Sequence, residues 1–273
     1  MTDSSTMTSK PDSIAIELAG VDVTHYESAS ETVLVREVNW RIGYGEFWVV
    51  GGRQSSGKSS LLLTAAGLNR PAGGTLRIFG CDLAAASEQD QIGWRRRMGF
   101  VFENSGRLFS HLTVAQNIAL PLQYHLDLDE SEVAARVNEL LTLTDLQGYA
   151  QRTPSRLSLG VQQRVGLARA LAPSSESGQA SSVEVLFLDN PLTTLSWRET
   201  HWWLDFLRRL QETHRVQGKL ITIVASADDF RGWLDVASHF AIVDGGRFGV
   251  VGGRGQVEAA TEPVLREFLA TGI

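Results

Sequence analysis

Cysteine is nearly absent from this chain: Cys81 is the one instance in 273 residues. That excludes an intrachain disulfide and any multi-cysteine metal site, and it suits a reducing compartment. The histidines are scattered singly, so no clustered ligand set for a metal-dependent hydrolase can be read from them. No apolar run reaches the length of a membrane span, and residues 1–12 lack the apolar core of a signal peptide; they read as a disordered cytoplasmic tail. Basic charge is not in excess either. A net charge of −6 gives no global attraction to nucleic acid or an anionic lipid surface, and Arg95-Arg96-Arg97 reads as a solvated face. No internal repeat and no long heptad arm is present.

What is present begins with 43% hydrophobic composition, enough for one substantial core or a domain with a subdomain. The apolar run Phe47-Trp48-Val49-Val50 enters Gly52-Arg53-Gln54-Ser55-Ser56-Gly57-Lys58-Ser59-Ser60, which fits G-x-x-x-x-G-K-[ST]. Each fixed residue has a task in such a loop. Gly52 and Gly57 let backbone N–H groups close around phosphate oxygens, Lys58 reaches the β- and γ-phosphates, and the Ser59 hydroxyl is placed for Mg²⁺. A surface turn rich in Gly and Ser would lack the strand-like run before it and the helix-compatible Leu61-Leu62-Leu63-Thr64-Ala65-Ala66 after it. The whole loop, Arg53, Gln54, Ser55, Ser56 and Ser60 included, is the candidate nucleotide-binding segment.

Strand-like segments at 13–18, 32–42, 75–80, 98–102, 183–188, 219–224 and 240–243 alternate with helical patterns, which predicts an α/β fold with a mainly parallel, helix-covered sheet. Residues 113–120 and 131–143 carry amphipathic helical patterns, with Ser131 as the expected N-cap region, and 161–171 reads as a long return helix. The expected organisation is a core of residues 13–103 and 156–273 with an antiparallel β subdomain, interrupted by a helical subdomain at 104–155. Residues 174–182 read as a flexible loop by composition. Trp197, Trp202, Trp203 and Phe206 have partly helical spacing and are expected to pack beneath the sheet.

Leu186-Phe187-Leu188-Asp189 ends a buried strand with a carboxylate, an arrangement that holds Mg²⁺ directly or through water. Between it and the phosphate loop lies Leu157-Ser158-Leu159-Gly160-Val161-Gln162-Gln163-Arg164, which resembles the signature segment L-S-G-G-Q of ATP-binding cassette proteins. The resemblance covers essentially the chain from Ser13 onward. It implies a P-loop NTPase fold, ATP and Mg²⁺ as ligands, and Ser158 and Gly160 facing the γ-phosphate held by a second subunit. It also implies Tyr26 stacking on adenine, although a simple strand-end tyrosine fits that position too. Position 103, where the family has Gln, is Glu, an extra carboxylate that can bind Mg²⁺ through water or alter coupling to the helical subdomain. Asn117-Ile118-Ala119-Leu120-Pro121-Leu122 looks most like lipid transporters of the mammalian-cell-entry or Mla type.

The departures from the family pattern separate binding from hydrolysis. Asn190 stands where the family has the Glu that polarises the attacking water, Ala227 where it has a switch His, Ser196 where it has Asp, and Ser55 where it prefers Gly. A neutral amide cannot accept a proton, so general-base help worth roughly 10²- to 10⁴-fold is missing at position 190. Gly52, Gly57, Lys58, Ser59 and Asp189 are intact, so MgATP binding is expected to survive. Asp228 follows the switch position and reads as an ordinary structural residue. The expected role is the cytoplasmic ATP-binding subunit of a transporter, paired with a second such subunit and a separate membrane permease, with weak or partner-dependent hydrolysis and no nucleic-acid partner. The alternative is a nucleotide-gated structural or regulatory cassette with little hydrolysis of its own.

Overall fold

The computed structural model describes residues 14–25, 32–103, 107–125, 128–172, 183–216 and 218–269. The tail at 1–12, Tyr26 and the loop at 174–182 lie outside the described residues. A ten-stranded sheet organises the chain. Its parallel part consists of β3 (Phe47–Gly52), β6 (Met98–Val101), β7 (Val185–Leu188), β10 (Thr222–Ala227) and β11 (His239–Asp244), ordered β11-β3-β10-β7-β6. Every residue of β3, β7 and β10 is buried, as expected of strands covered on both faces, which is why they read as unbroken apolar runs in the sequence.

The antiparallel part continues from the other side of β11. β12 (Arg247–Gly252) pairs antiparallel with β11, and beyond it, joined by a parallel bridge between Arg247 and Arg36, come β2 (Val33–Gly43), β1 (Ile14–Thr24), β4 (Gly73–Ile78) and the short β5 (Cys81–Asp82), paired antiparallel to one another. Strands β1 and β2 run longer than their apolar segments suggest, and irregular register shifts between them let each bend. The segment expected as one strand at 219–224 is divided: β8 (Arg215–Val216) and β9 (Lys219–Leu220) form a separate ribbon, and β10 starts at Thr222.

Helix α1 (Lys58–Ala65) follows the phosphate loop, and α2 (Glu88–Arg97) is closed at its start by a reciprocal Ser87–Asp90 capping box. Helices α3 (Val114–His125) and α4 (Glu130–Leu143) form the helical insertion, packing against α5 (Leu159–Ala170). The N-cap of α4 is Asp129, not Ser131. Asp129 accepts from the N–H groups of Ser131 and Glu132, and Glu132 reaches back to the Asp129 N–H, which completes a box that Ser131 cannot form. Ile118, Leu122, Val137 and Leu140 share one hydrophobic cluster with Val165, Leu186 and Ile223, so the insertion's core is continuous with the sheet's.

Helix α6 (Trp197–Thr213) buries Trp203, Phe206, Leu207 and Leu210 in that same cluster. Trp202 is partly buried and stacks on Phe206 at 5.0 Å, whereas Trp197 departs from the expectation of core packing and is 74% exposed. It is the first residue of α6, off the stripe that the other aromatics occupy. The chain closes with α7 (Arg254–Ala259) and α8 (Pro263–Leu269).

Candidate functional site

Strand β3 delivers the loop at its C-terminal end, the edge at which open α/β sheets gather ligands. Gly57 makes the turn into α1 with φ +102°, a conformation that L side chains rarely adopt. A Cβ there would also meet Val35 Cγ2 at 2.9 Å. At Gly52 the constraint is contact instead of angle: a Cβ would fall 2.5 Å from Ser56 Oγ and 2.8 Å from the Val243 carbonyl oxygen. Ser55 holds a positive φ of 62° without being glycine, the strained position at which the family pattern prefers Gly.

Lys58 is buried, and its ammonium donates to the carbonyl oxygens of Gly52 (2.6 Å) and Arg53 (3.0 Å). Its third neighbour is a carboxylate, Asp228 Oδ1 at 3.1 Å. Ser59 Oγ donates to Asp189 Oδ1 at 2.9 Å, joining the loop to the end of β7. The Ser226 hydroxyl donates to the same oxygen at 2.8 Å and accepts from the Asn190 N–H at 2.9 Å. Burial pushes the Asp189 carboxyl up from its ordinary range, against the hydrogen bonds from Ser226 and Ser59 and the nearby Lys58 charge.

A cavity of about 460 Å³ lies over this arrangement, lined by residues 54–60, Asp189, Asn190, Glu103 and Asp228, with His25 and Leu34 also in its wall. Asn190 has a left-handed backbone with φ 46°, and its amide nitrogen donates to Glu103 Oε1 at 3.1 Å and to Asp228 Oδ2 at 3.0 Å. The structure thus gathers the phosphate loop, Asp189, Asn190 and Glu103 in one place. Sequence reasoning missed two participants. Ser226 lies on an all-buried strand with no motif of its own, and Asp228, read as structural, is the ion-pair partner of Lys58.

Other candidate residues lie elsewhere. The Arg53 side chain turns away to Glu267 Oε2 at 2.7 Å, so only its backbone serves the loop. Ala227 is buried at the end of β10 and lines a neighbouring cavity with Trp233 and Thr200. Ser158 caps α5 by accepting from the Val161 N–H, and neither it nor Gly160 lines the cavity at the phosphate loop. Gly160 lies against the Glu199 carboxylate, which a Cβ would overlap.

The donor set fits a nucleotide triphosphate with a divalent ion. The loop residue Ser56 has a buried hydroxyl with no hydrogen-bond partner, α1 begins without an acidic residue in its first turn, and a buried cation, Lys58, and a buried carboxylate, Asp189, both line the cavity. Among the described residues no three His, Cys, Asp or Glu side chains are grouped to hold a metal by themselves. Ser59 and Asp189, hydrogen-bonded to each other, are the side chains that would hold a divalent ion here together with phosphate oxygens.

The family profile described as ABC transporter matches residues 35–193, more than half of the chain. The chain belongs to the ABC transporter family. This ABC cassette is 34% identical over 245 residues to the sulfate/thiosulfate import ATP-binding protein CysA of Mycolicibacterium paratuberculosis, covering 89% of this chain and 62% of that protein. It is 35% identical over 241 residues to the methionine import ATP-binding protein MetN of Bifidobacterium longum, covering 88% and 56%. The cassette therefore spans less than two thirds of the length of these relatives. Among solved structures, the ATP-binding cassette MJ0796, a dimer bound to ADP and phosphate, superposes with a TM-score of 0.72 at 26% identity, covering 85% of this chain and 95% of that one. The cassette fold, a P-loop NTPase with a large mixed sheet and a helical subdomain, is the architecture expected from the sequence.

Proposed function

We propose that this chain is the ATP-binding subunit of an ABC transporter, which binds MgATP, pairs with a second nucleotide-binding subunit and drives a separate membrane permease. The observation that carries the reading is the Ser59–Asp189 hydrogen bond beside Lys58, which brings a phosphate loop and a strand-end carboxylate together in a single cavity. Lys58 and the loop N–H groups would hold the β- and γ-phosphates, and Ser59 and Asp189 would hold Mg²⁺. Bound Mg²⁺ supplies neutralisation of the charge shared by those phosphates. His25, just after β1, and Leu34 of β2 also line the cavity and would face the base and ribose.

Ser158 and Gly160 do not line their own chain's cavity, which supports the reading that they serve the nucleotide of a second copy. The proposed domain division, 13–103 and 156–273 around 104–155, gives the permease the helical subdomain as its contact. Among the described residues no helix is long and apolar enough to cross a membrane, so membrane attachment in this reading is peripheral, on the cytoplasmic face through the permease. The relatives' names give sulfate, thiosulfate and methionine as imported substrates, and they lend no support to the lipid-transporter likeness of residues 117–122. Cargo selection belongs to the permease and its binding protein, because the cassette touches nucleotide and permease only.

The second reading, a nucleotide-gated cassette with little turnover of its own, is favoured by Asn190 and Ala227 at positions where the family carries proton-accepting and phosphate-contacting groups. Equilibrium binding of ATP with and without Mg²⁺, followed by phosphate release alone and with the co-purified permease, tests both. The transporter reading expects Mg²⁺-dependent binding and turnover raised by the permease; binding with no turnover in either setting favours the gated cassette, and absence of binding sinks both.

A further inference from the structure

Three carboxylates face the cavity: Asp189, Asp228 and Glu103. Two of them are committed. Asp189 is buried and accepts from the hydroxyls of Ser59 and Ser226 through one oxygen. Asp228 sits 3.1 Å from the Lys58 ammonium. Glu103 has a different environment: its Oε1 takes a hydrogen bond from a neutral amide, Asn190 Nδ2 at 3.1 Å, and it is not grouped with Asp189 and Asp228 as a metal cluster. Glu103 is thus a partly exposed carboxylate on the cavity wall, held by an uncharged donor.

The holder is itself held. The Asn190 N–H donates to Ser226 Oγ, and its amide nitrogen has two hydrogens, directed to Glu103 and to Asp228. With both hydrogens assigned, the orientation of the amide is fixed and its carbonyl oxygen is the acceptor left for a water O–H. Relative to the family pattern, the amide and the carboxylate have changed places: Glu stands at 103 and Asn at 190.

We infer that Glu103 is the general base for ATP hydrolysis in this chain, with Asn190 as the residue that positions both Glu103 and the attacking water. This rests on the proposed function and names the residue behind whatever turnover that site performs. In the step, the water oxygen forms a bond to the γ-phosphorus, and the bond from that phosphorus to the β–γ bridging oxygen breaks, its electron pair leaving with ADP. The water proton passes to the Glu103 carboxylate and from there to solvent, and inorganic phosphate is released.

The test uses the full chain and Mg²⁺ with γ-labelled ATP under single-turnover conditions, with ATP affinity measured separately by equilibrium dialysis. Glu103→Gln is expected to slow phosphate release by at least about 10²-fold while leaving affinity within about threefold. The complex isolated by rapid gel filtration then carries ATP in the variant and ADP in the unmodified chain. Adding Asn190→Glu to Glu103→Gln is expected to restore release, because it returns a carboxylate to the pair. Unchanged release in Glu103→Gln, loss of affinity in parallel with rate, or an unmodified chain that binds ATP and never cleaves it would each overturn the assignment of the base while leaving the binding function standing. Failure of the unmodified chain to bind ATP would instead overturn the proposed function and this assignment with it.

Discussion

The indole Nε1 of Trp202 donates to Asp145 Oδ2 at 2.7 Å, and this contact ties helix α6 of the sheet core to the turn that follows α4 of the helical insertion. Asp145 adopts φ 54°, and the Arg164 guanidinium of α5 lies 4.8 Å from the centre of a Trp202 ring. One side chain therefore touches the insertion, the helix that follows the signature segment and the core.

Trp202→Phe keeps an aromatic ring to stack on Phe206 and removes the indole donor. It is expected to lower unfolding stability by about 1 kcal/mol, the net worth of a partly exposed hydrogen bond. Urea midpoints with an unchanged m-value would show it. An effect as large as that of Trp203→Ala, which empties a fully buried site in the core cluster, would mean that packing and not the bond was lost.

Gly57→Ala places a Cβ on a backbone at φ +102° and against Val35. The expected cost is on the order of 1–3 kcal/mol of strain at the loop, or its relief by a shift that misaligns the N–H groups. Either way ATP affinity falls by tenfold or more, and equilibrium dialysis beside a thermal melt separates the two routes. Ser55→Gly runs the other way: removing a side chain from φ 62° is expected to leave affinity intact and raise the melting temperature.

Lys58→Ala and Asp189→Asn should differ in their response to the metal. The first removes a buried cation that phosphates would meet and is expected to weaken ATP with or without Mg²⁺. The second removes the carboxylate bonded to Ser59 and should reduce chiefly the gain in affinity that Mg²⁺ confers. Titrating Mg²⁺ at fixed ATP is the measurement; identical losses in both conditions for Asp189→Asn would remove it as a metal ligand.

How much of this was legible in the sequence depends on how far apart the participants are. The phosphate loop and the buried strands were readable because their signals are local, a glycine spacing or an apolar run. The Asn190 amide, by contrast, meets Glu103 across 87 positions and Asp228 across 38, and only the sheet order β3-β10-β7-β6 brings these strand ends together. Ser226 was invisible for the same reason. At α4 the expected cap Ser131 and the observed cap Asp129 are two apart and both carry a side-chain oxygen that can accept, and the deciding group was Glu132, three positions after Asp129. Trp197 shares a helix with the core aromatics, but the helical pitch turns it outward.

His214, at the end of α6, gives a pH prediction away from the site. Burial lowers its pKa from the ordinary value, against a hydrogen bond with the Val183 backbone that raises it, and its Nε2 is buried without a partner. The folded state therefore favours the neutral ring. As pH falls through the unfolded-state value of about 6.5, the unfolded chain takes up a proton that the folded chain does not, and stability declines until the folded-state pKa is passed. Comparing urea midpoints for the unmodified chain and His214→Gln across this window checks it: the decline should be shallower in the variant.

Strand β3, which carries the phosphate loop, is flanked on one side by β10 and on the other by β11. Both neighbours are made long after β3, since residues 53–221 separate it from β10 and β11 follows later still. Until they arrive, Phe47, Val49 and Val50 have no lateral pairing, and the loop beyond them has no rigid strand to hold its curvature. The nascent chain must therefore carry an apolar edge unpaired while residues 53–221 are synthesised, an interval in which aggregation competes with assembly and in which chaperones would find their substrate.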